Sequence, residues 1–325
     1  MATYKGINGF AVQSVASDPT FDEGQVWYNN VGYAFKLATL TTAGTWATGG
    51  NLATARTGLG GAGTQTAGLA FGGFIPPVNS TATEEYDGST WTSGGSMATA
   101  RRGLGGLGLQ TSALAFGGFS TGYESSTEEY DGTSWTSGGS LGTARYGPGP
   151  AGTQTAGLAF GGDTGGNSAA TEAYNGTSWT AGGNLGTARG RLAGAGTQTA
   201  ALGAGGYLSP GNSNATEEYN GSTWTAGGNL NTARFYFWGS GTQTAGLVFG
   251  GALNPGDSAA TELYNGTSWT SNPTGLNTAR AAVSGASSGT QTTSLAFGGG
   301  PPSTRAATEE WTGPGTAETR TVTVS

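Results

Sequence analysis

A motif of about 44 residues recurs six times along the chain and constrains its fold more than any other feature. A typical copy reads Leu-x-Thr-Ala-Arg, a glycine-rich stretch, Thr-Gln-Thr, Leu-Ala-Phe-Gly-Gly, a loop, and then Thr-Glu-Glu-Tyr-Asp/Asn-Gly followed by Trp-Thr. The motif arginines are Arg56, Arg101, Arg145, Arg189, Arg234 and Arg280. A unit this short cannot bury its apolar face alone, so neighbouring copies must stack. The repeat therefore predicts an architecture before it predicts a function.

The composition favours an all-β fold. Glycine accounts for 65 of the 325 residues and charged residues for only 10%, which argues against a helical or α/β enzyme. Disorder is disfavoured because aromatic residues, 10% of the chain, return at fixed places in each repeat, as a packed core requires. Good helix formers are scarce relative to Gly, Thr, Ser and Asn.

The charge and the missing residue types exclude several functions. The net charge is −7 and the only lysines are Lys5 and Lys36, so no basic stripe is available for nucleic acid. Histidine and cysteine are absent, which excludes disulfides, imidazole or thiolate metal sites, and Ser/His or Cys/His catalysis. We expect no metal, no cofactor and no enzymatic activity. The N-terminus lacks a signal-peptide pattern and no apolar run approaches ~18 residues, so we expect cytoplasmic synthesis and no membrane insertion.

Each repeat contains four strand candidates. In the first copy they lie at 57–64, at 67–73, at 83–86 and around Trp91. The third and fourth candidates are separated by Asp-Gly or Asn-Gly, dipeptides that readily form tight hairpin turns. These are Asp87-Gly88, Asp131-Gly132, Asn175-Gly176, Asn220-Gly221 and Asn265-Gly266. Four antiparallel strands in about 44 residues, repeated around a ring, predict a β-propeller.

Over residues 46–311 the repeats resemble kelch repeats, in which a Gly-Gly pair ends the second strand and is followed by a Tyr and then a Trp. The Gly-Gly pairs begin at Gly72, Gly117, Gly161, Gly205, Gly250 and Gly298. The tyrosines are Tyr86, Tyr130, Tyr174, Tyr219 and Tyr264, and the tryptophans are Trp91, Trp135, Trp179, Trp224 and Trp269. The Gly-His and Trp-Asp dipeptides of WD-type propellers do not occur. The resemblance implies a kelch-like propeller of four-stranded antiparallel blades.

The sequence leaves two ways to close the ring. In the sixth repeat Trp311 takes the place of the tyrosine and no fourth-strand tryptophan follows, whereas the segment around Trp46 is a fourth strand without a repeat. We favour seven blades, in which residues 3–48 form a degenerate first blade and join residues 49–325 in one propeller. In this closure the fourth strand of the sixth repeat lies at 319–325. The alternative has six blades, with the Trp46 strand completing the sixth repeat and both terminal tails outside.

The strictly recurring polar residues are predicted to be structural. Strand alternation places the first glutamate of each Thr-Glu motif beside the buried tyrosine, where it needs a partner, and the motif arginine is the matching cation. These glutamates are Glu84, Glu128, Glu172, Glu217, Glu262 and Glu309. The turn glutamines are predicted to form turn and inter-blade hydrogen bonds. They are Gln65, Gln110, Gln154, Gln198, Gln243 and Gln291.

The repeats differ from one another in the loop between the second and third strands and in the residues just after the motif arginine. In an up-and-down blade both segments emerge on the same face, which we call the variable face. Its individual residues form the candidate binding site because aromatic rings stack on sugars or apolar patches and arginines fix polar groups. They are Arg102, Tyr123, Tyr146, Arg191, Tyr207, Phe235, Tyr236, Phe237 and Trp238. For the run 235–238, core packing of some members remains an alternative.

The segment at 22–37, Asp-Glu-Gly-Gln-Val-Trp-Tyr-Asn-Asn-Val-Gly-Tyr-Ala-Phe-Lys-Leu, resembles a short β-hairpin module of tailed-bacteriophage virion proteins. With the repeats, the whole chain is similar to kelch-like structural proteins of such phages. The resemblance implies a tail-fibre or appendage subunit in the virion that contacts other virion proteins and binds a host-surface glycan or receptor. It also implies that residues 1–48 could serve as a virion-attachment segment instead of a degenerate blade. A homo-oligomer in the virion is compatible with this resemblance.

Two other functions remain as alternatives. One is a purely architectural subunit of the tail or capsid, whose variable face docks another virion protein. The other is a glycan hydrolase that uses carboxylates alone, for which Glu124, Asp163 and Asp257 are the acids outside the repeated core.

Overall fold

The computed structural model describes residues 13–15, 26–29, 34–40, 43–300, 304–315 and 317–322. The chain divides into two compact units, which are described separately. Thr45–Thr312 form a propeller, and Met1–Gly44 together with Gly313–Ser325 form a smaller unit. Over the described ranges the regular structure consists of strands alone, so the predicted all-β class is confirmed.

The propeller has six blades, each a four-stranded antiparallel sheet. Blades 1 to 5 use their strands in chain order, and the first strands of neighbouring blades pack together around the central axis. Blade 1 comprises Gly60–Gly63, Gly68–Phe71, Thr83–Tyr86 and Trp91–Ser93. Blade 2 comprises Gly105–Leu109, Ser112–Phe116, Thr127–Tyr130 and Trp135–Ser137, and blade 3 comprises Gly149–Thr153, Ala156–Phe160, Thr171–Tyr174 and Trp179–Ala181. Blade 4 comprises Ala193–Thr197, Ala200–Ala204, Thr216–Tyr219 and Trp224–Ala226, and blade 5 comprises Trp238–Gly241, Gly246–Phe249, Thr261–Tyr264 and Trp269–Ser271.

Blade 6 closes the ring with a strand from the other end of the repeat region. Ser284–Gly285, Thr293–Phe297 and Thr308–Thr312 are its first three strands, and Thr45–Thr48 is its outer strand. Trp46 is paired with Trp311, with ring centres 5.2 Å apart, and its indole N–H donates to Thr261 of blade 5 at 2.9 Å. The structure therefore has the six blades of the alternative closure and not the seven that we favoured, because Trp311 pairs with Trp46 rather than with a strand that follows it.

The smaller unit is a four-stranded sheet that differs from a blade. Its order is Gln13–Val15, Val26–Asn29, Ala34–Leu40 and Ala317–Val322, with the first pair parallel and the other two pairs antiparallel. The strand predicted at 319–325 thus pairs with the N-terminal segment instead of completing blade 6. Residues 1–12, 16–25, 30–33 and 41–42 of the predicted degenerate blade, and 323–325 of that last strand, lie outside the described residues.

Two further two-stranded ribbons project from the loops between second and third strands. Phe74–Ile75 pairs with Val78–Asn79 in blade 1, and Tyr207–Leu208 pairs with Gly211–Asn212 in blade 4. Both belong to the variable face.

Glycine in the inner strands lets six blades meet at a narrow axis. A Cβ atom on Gly61 would lie 2.3 Å from the carbonyl oxygen of Gly285 in the neighbouring blade, and one on Gly194 would lie 2.0 Å from that of Pro150. Real Cβ atoms cannot approach so closely, so larger residues would push the inner strands apart. Part of the high glycine content is therefore explained by close packing of the inner strands at the axis.

The six motif arginines form buried ion pairs, which confirms their predicted partners. Arg56 donates to Glu84 at 2.7 Å and to the carbonyl oxygens of Gly72 and Ala82, while Glu84 also accepts from the Ala53 N–H. The other pairs are Arg101–Glu128, Arg145–Glu172, Arg189–Glu217, Arg234–Glu262 and Arg280–Glu309. Burial lowers the pKa of each arginine, against the opposing effect of its glutamate. The arginine lies in the linker between two blades and the glutamate lies in the third strand of the second of them. Each pair therefore attaches the linker to that strand.

Hydrogen bonds between blades repeat just as regularly. Gln110 donates to the carbonyl oxygens of Gly68 and Tyr86 in the preceding blade, at 3.0 and 2.8 Å. Trp135 donates to the hydroxyl of Thr83 at 2.9 Å and packs on Phe71, with ring centres 4.9 Å apart. Equivalent bonds are made by the other five turn glutamines and the other five outer-strand tryptophans. The predicted inter-blade hydrogen bonds of the turn glutamines are therefore confirmed, and the outer-strand tryptophans add a second set of contacts between blades.

Four of the six Thr-Glu motifs have a second acid, and each of these acids has a partner in the next blade. Tyrosine hydroxyls donate to these acids in the pairs Tyr86–Glu310, Tyr130–Glu85, Tyr174–Glu129 and Tyr264–Glu218. Where this position is Leu263, the next blade has Trp311 in place of the tyrosine, and where it is Ala173 the next tyrosine, Tyr219, has no carboxylate opposite it. Loss of the second acid is thus accompanied by loss of the tyrosine at the boundary of Leu263 and Trp311, but not at that of Ala173 and Tyr219.

Removal of the closing strand is expected to weaken the propeller. The fragment 45–312 should unfold cooperatively, whereas the fragment 49–312 should lose the burial of Trp46, worth about 3–5 kcal/mol, and melt roughly 10 °C lower. Thermal unfolding followed by circular dichroism compares the two fragments. Equal melting temperatures would show that residues 45–48 do not close the ring.

Alkaline pH is expected to destabilise the blade contacts. Burial, and then hydrogen bonding to glutamate, raises the pKa of Tyr86, Tyr130, Tyr174 and Tyr264 from 10.0 to about 12. Because the pKa is higher in the folded state, this stabilisation is complete below about pH 10 and is lost as the pH rises through about 12. Denaturant unfolding at stepped pH, with tyrosinate absorbance, measures the decline. Tyr174→Phe should make it smaller, and an undiminished decline would contradict this origin.

Candidate ligand-binding groove

The segments that vary between repeats are brought together on one face by short backbone bridges. The residue after each motif arginine pairs with the residue after a Gly-Gly pair, as in Arg102 with Phe119 and Tyr146 with Asp163. The same bridge joins Thr57 to Phe74, Gly190 to Tyr207, Phe235 to Ala252 and Ala281 to Gly300. The variable face predicted from the sequence is therefore a continuous surface around the axis.

A closed ring of six backbone hydrogen bonds surrounds the axis at this face. Its members are the second residues after the motif arginines, and each N–H donates to the carbonyl oxygen of the equivalent residue in the preceding blade, at 2.7–3.2 Å. In ring order they are Gly58, Gly103, Gly147, Arg191, Tyr236 and Ala282. All six have a positive φ, between 48° and 60°.

Half of this ring carries side chains in a conformation that favours glycine. Arg191, Tyr236 and Ala282 have φ of 58°, 53° and 48°, at a cost of about 1–2 kcal/mol for each residue relative to glycine. On the opposite half, a Cβ atom on Gly103 would lie 1.9 Å from the Tyr146 ring. A Cβ atom on Gly147 would likewise lie 3.1 Å from Arg191 Cγ, so these two glycines leave room for the side chains of Tyr146 and Arg191. Strained backbone at a surface mouth is typical of a functional site.

One cavity of about 260 Å³ lies beside the ring and is lined by charged and aromatic groups. The guanidinium of Arg191 lies 5.1–5.8 Å from the ring centres of Tyr146, Tyr207 and Tyr236. It also forms an ion pair of 3.6 Å with Asp163, whose carboxylate accepts a hydrogen bond from Tyr123 at 3.2 Å. The full lining is Arg102, Phe119, Tyr123, Tyr146, Asp163, Arg191 and Tyr236.

Arg102 is held in a fixed orientation at the edge of this cavity. Its guanidinium lies 4.5 Å from the ring centre of Phe74 and 5.2 Å from that of Phe119. Its Nη1 donates to Asn79 Oδ1 at 3.2 Å, and Asn79 in turn donates to the carbonyl oxygens of Phe119 and Ser120. Two rings and one amide therefore set the plane of the guanidinium, and most of its N–H donors are left for a ligand.

A second cavity, of about 360 Å³, adjoins the first. The two share Arg102, Tyr146 and Tyr236, and we call them together the groove. The hydroxyl of Tyr236 donates to that of Tyr146 at 3.0 Å. The second cavity is lined by Thr57, Gly58, Phe74, Pro76, Arg102, Tyr146, Tyr236, Ala282, Gly300 and Thr304.

The structure brings five of the nine predicted site residues into the groove lining: Arg102, Tyr123, Tyr146, Arg191 and Tyr236. Tyr207 and Phe235 are outside the lining, with their ring centres 5.4 Å apart, and Tyr207 contacts the Arg191 guanidinium. Phe237 and Trp238 are buried, with 4% and 8% of their surface exposed, in the core and at the start of the inner strand of blade 5. Both lie outside the groove lining, and their burial agrees with the core-packing alternative for the run 235–238.

Sequence reasoning missed the residues that orient the arginines. Phe74 and Phe119 directly follow Gly-Gly pairs, and Asn79 follows in the same loop as Phe74. Their place in the repeat could have identified them, since each residue after a Gly-Gly pair forms a backbone bridge with the residue after a motif arginine. Asp163 occupies the same position and was considered only as a catalytic acid.

The three acids proposed for carboxylate catalysis have separate surroundings. Asp163 is paired with Arg191, and Glu124 accepts hydrogen bonds from the hydroxyls of Ser120 and Ser126. Burial raises the pKa of Asp257. Searched over its described residues, the chain contains no group of three or more His, Cys, Asp or Glu that could hold a metal ion. Within the part of the chain that the structure describes, no helix has the length and apolar character needed to cross a bilayer.

An insertion in blade 6 crosses part of the opposite end of the axis. The interval from motif arginine to turn glutamine runs from Arg234 to Gln243 in the fifth repeat but from Arg280 to Gln291 in the sixth, two residues longer. The extra segment crosses the axis, where Ser288 N–H donates to the carbonyl oxygen of Gly63 and its hydroxyl to that of Gly108, both at 2.9 Å. Beside this segment lies a cavity of about 340 Å³, lined by the turns between the first and second strands of blades 3 to 5 and by residues 287–291.

The chain matches no protein-family model, and no curated protein shows significant similarity to it.

Replacement of Arg191 tests the strain in the axial ring. Arg191→Gly and Arg191→Ala remove the same contacts, but only alanine keeps the cost of a positive φ. The glycine variant should be more stable by about 1–2 kcal/mol in denaturant unfolding. Arg189→Gly is the contrasting variant, since it breaks a buried ion pair and should cost about 3–5 kcal/mol. Equal stability of the glycine and alanine variants would mean that the φ of Arg191 is not strained.

Proposed function

We propose that the protein is a non-enzymatic structural protein of a tailed-bacteriophage virion, and that it binds a glycan or receptor of the host surface through the groove. The observation that carries the proposal is the convergence of two arginines and three tyrosines on one rigid face of the propeller. The repeats differ at these positions while the frame beneath them is constant. A chain selected only for architecture has no reason to keep strained side chains there.

The chemistry of the groove suits a saccharide. Tyr146 and Tyr236 offer aromatic faces for the C–H surfaces of sugar rings, and their hydroxyls and the arginine N–H groups offer hydrogen bonds to sugar oxygens. The two cavities, of about 260 and 360 Å³, are close to the lower end of the range for small-molecule sites, about 300–1,000 Å³.

The virion assignment rests on the resemblance of residues 22–37 to a phage virion module, and the kelch-like assignment rests on the Gly-Gly, Tyr and Trp pattern. The described strands of the module, Val26–Asn29 and Ala34–Leu40, belong to the smaller unit and not to the propeller. We assign to this unit the contacts with other virion proteins, and to the propeller the contact with the host. The alternative is an architectural subunit whose variable face docks another virion protein.

Binding of the full-length protein to host cells and to a panel of surface glycans tests the proposal. Tyr146→Ala should weaken binding about tenfold, as expected for about 1.5 kcal/mol of ring stacking. Leu109→Ala is the control, because Leu109 is 48% exposed in the turn between the first two strands of blade 2, on the opposite face.

Two results would contradict the proposal. Unchanged binding by Tyr146→Ala would remove the groove as the site, provided that its thermal unfolding matches the wild type. Absence of binding to any cell or glycan would favour the docking alternative. Antibody labelling of intact virions, viewed by electron microscopy, then locates the protein on the tail, fibre or capsid.

A further inference from the structure

The cations of the propeller are divided between the core and one face. Its sequence contains nine arginines and no lysine from Thr45 to Thr312, and six of these arginines are neutralised in the buried pairs. The remaining three are Arg102, Arg191 and Arg305, and all of them lie in linkers or loops of the variable face. The same face carries three acids, Glu124, Asp163 and Asp257, so its formal charge is about zero in a protein whose net charge is −7.

The acids outside the buried pairs lie mostly elsewhere. Asp87 and Asp131 occupy exposed hairpin turns on the opposite face, where their carboxylates accept backbone N–H bonds within the turn. Four glutamates, Glu85, Glu129, Glu218 and Glu310, accept tyrosine hydroxyls between blades. The groove itself is lined by one acid, Asp163.

The net charge of the groove is about +1 because Asp163 offsets Arg191 at 3.6 Å. Among the described residues no carboxylate lies within salt-bridge distance of Arg102, whose hydrogen-bond partner is the neutral amide of Asn79. An oriented guanidinium without a carboxylate partner, at a site with a single net positive charge, is complementary to one monoanionic group.

We propose that the ligand is an acidic saccharide, and that its carboxylate binds Arg102 while its sugar rings lie against Tyr146 and Tyr236. This inference rests on the proposed function and narrows it to a class of ligand. The planar fork of Arg102 matches a carboxylate with two parallel hydrogen bonds, and the flanking rings of Phe74 and Phe119 keep the fork from turning. A sulfate ester also carries one negative charge, so the test includes both kinds of anion. A dianionic phosphate fits the net charge less well.

Titration calorimetry of the full-length protein with three saccharides tests the inference. The probes are an oligogalacturonate, its methyl ester, which keeps the sugar rings but lacks the charge, and a dextran sulfate of similar length. We expect the oligogalacturonate to bind at least about tenfold more tightly than its ester, as expected for one hydrogen-bonded charge. It should also bind more tightly than dextran sulfate.

Three variants separate the groove from general electrostatics. Arg102→Gln should weaken oligogalacturonate binding about tenfold, whereas Arg305→Gln, which removes the same charge from a loop outside the groove lining, should change it by less than about twofold. Asp163→Asn raises the net charge of the groove and should strengthen binding at low salt. Thermal unfolding checks that each variant is folded.

The outcomes distinguish this inference from the function on which it rests. Equal affinity for the acid and its methyl ester overturns the acidic ligand and leaves glycan binding intact. If Arg102→Gln and Arg305→Gln weaken oligogalacturonate binding equally, the effect is general charge attraction and the site is overturned. The same conclusion follows if dextran sulfate binds as tightly as oligogalacturonate. Absence of binding to any saccharide, in this titration and on cells, overturns both.

Discussion

The buried ion pair between each motif arginine and the first glutamate of its blade is the interaction on which the other features depend. Arg56 holds Glu84 and also the carbonyl oxygens on both sides of the loop between the second and third strands, at Gly72 and Ala82. A charge buried this deeply is tolerated only with its partner and its hydrogen bonds in place. The linker to the next blade is therefore fixed at one point, and the residues that follow the arginine are delivered to the axis in the same position in every blade.

The groove arises from small departures within this repeated frame. Two residues after the arginine, the chain enters a ring of backbone hydrogen bonds that requires a positive φ, and glycine is the residue that accepts it without strain. Three blades have glycine there, and Arg191, Tyr236 and Ala282 take its place in the other three. Gly103 and Gly147 leave room for the side chains of Tyr146 and Arg191, each in the next blade. A symmetric frame thus produces an asymmetric mouth without changing its backbone.

The charged residues are likewise divided between the repeated frame and the positions that differ between repeats. Six arginines and six glutamates form neutral pairs in the repeated frame. The remaining charged residues are not part of the frame and differ between the two faces. On the variable face Arg102 is oriented by rings and an amide, and Arg191 is balanced by Asp163. This arrangement combines a directed cation with aromatic surfaces on a rigid support, which is the basis of the proposed recognition of an acidic saccharide.

Much of this structure was accessible from the sequence because its causes are local or repeated. The blade, its turns, the ion pairs and the variable face all follow from patterns within about 44 residues, and comparison of the repeats was enough to single out Arg102, Tyr146 and Arg191. The burial of Phe237 and Trp238 was not accessible, since alternation along a run of four aromatics does not say where an inner strand begins. Phe119 and Asp163 were not recognised as partners of the arginines because they meet only when two loops pair.

The sequence by itself determined the all-β class, the six-fold repeat and the roles of its recurring residues, because each repeat encodes its own strands and partners. Only the tertiary structure decided how the ring closes, since Trp46 and Trp311 pair across almost the whole chain and no local pattern distinguishes that pairing from a seventh blade. It also decided which side chains share the groove. Convergence of linkers on an axis is a property of the closed ring, and no single repeat contains it.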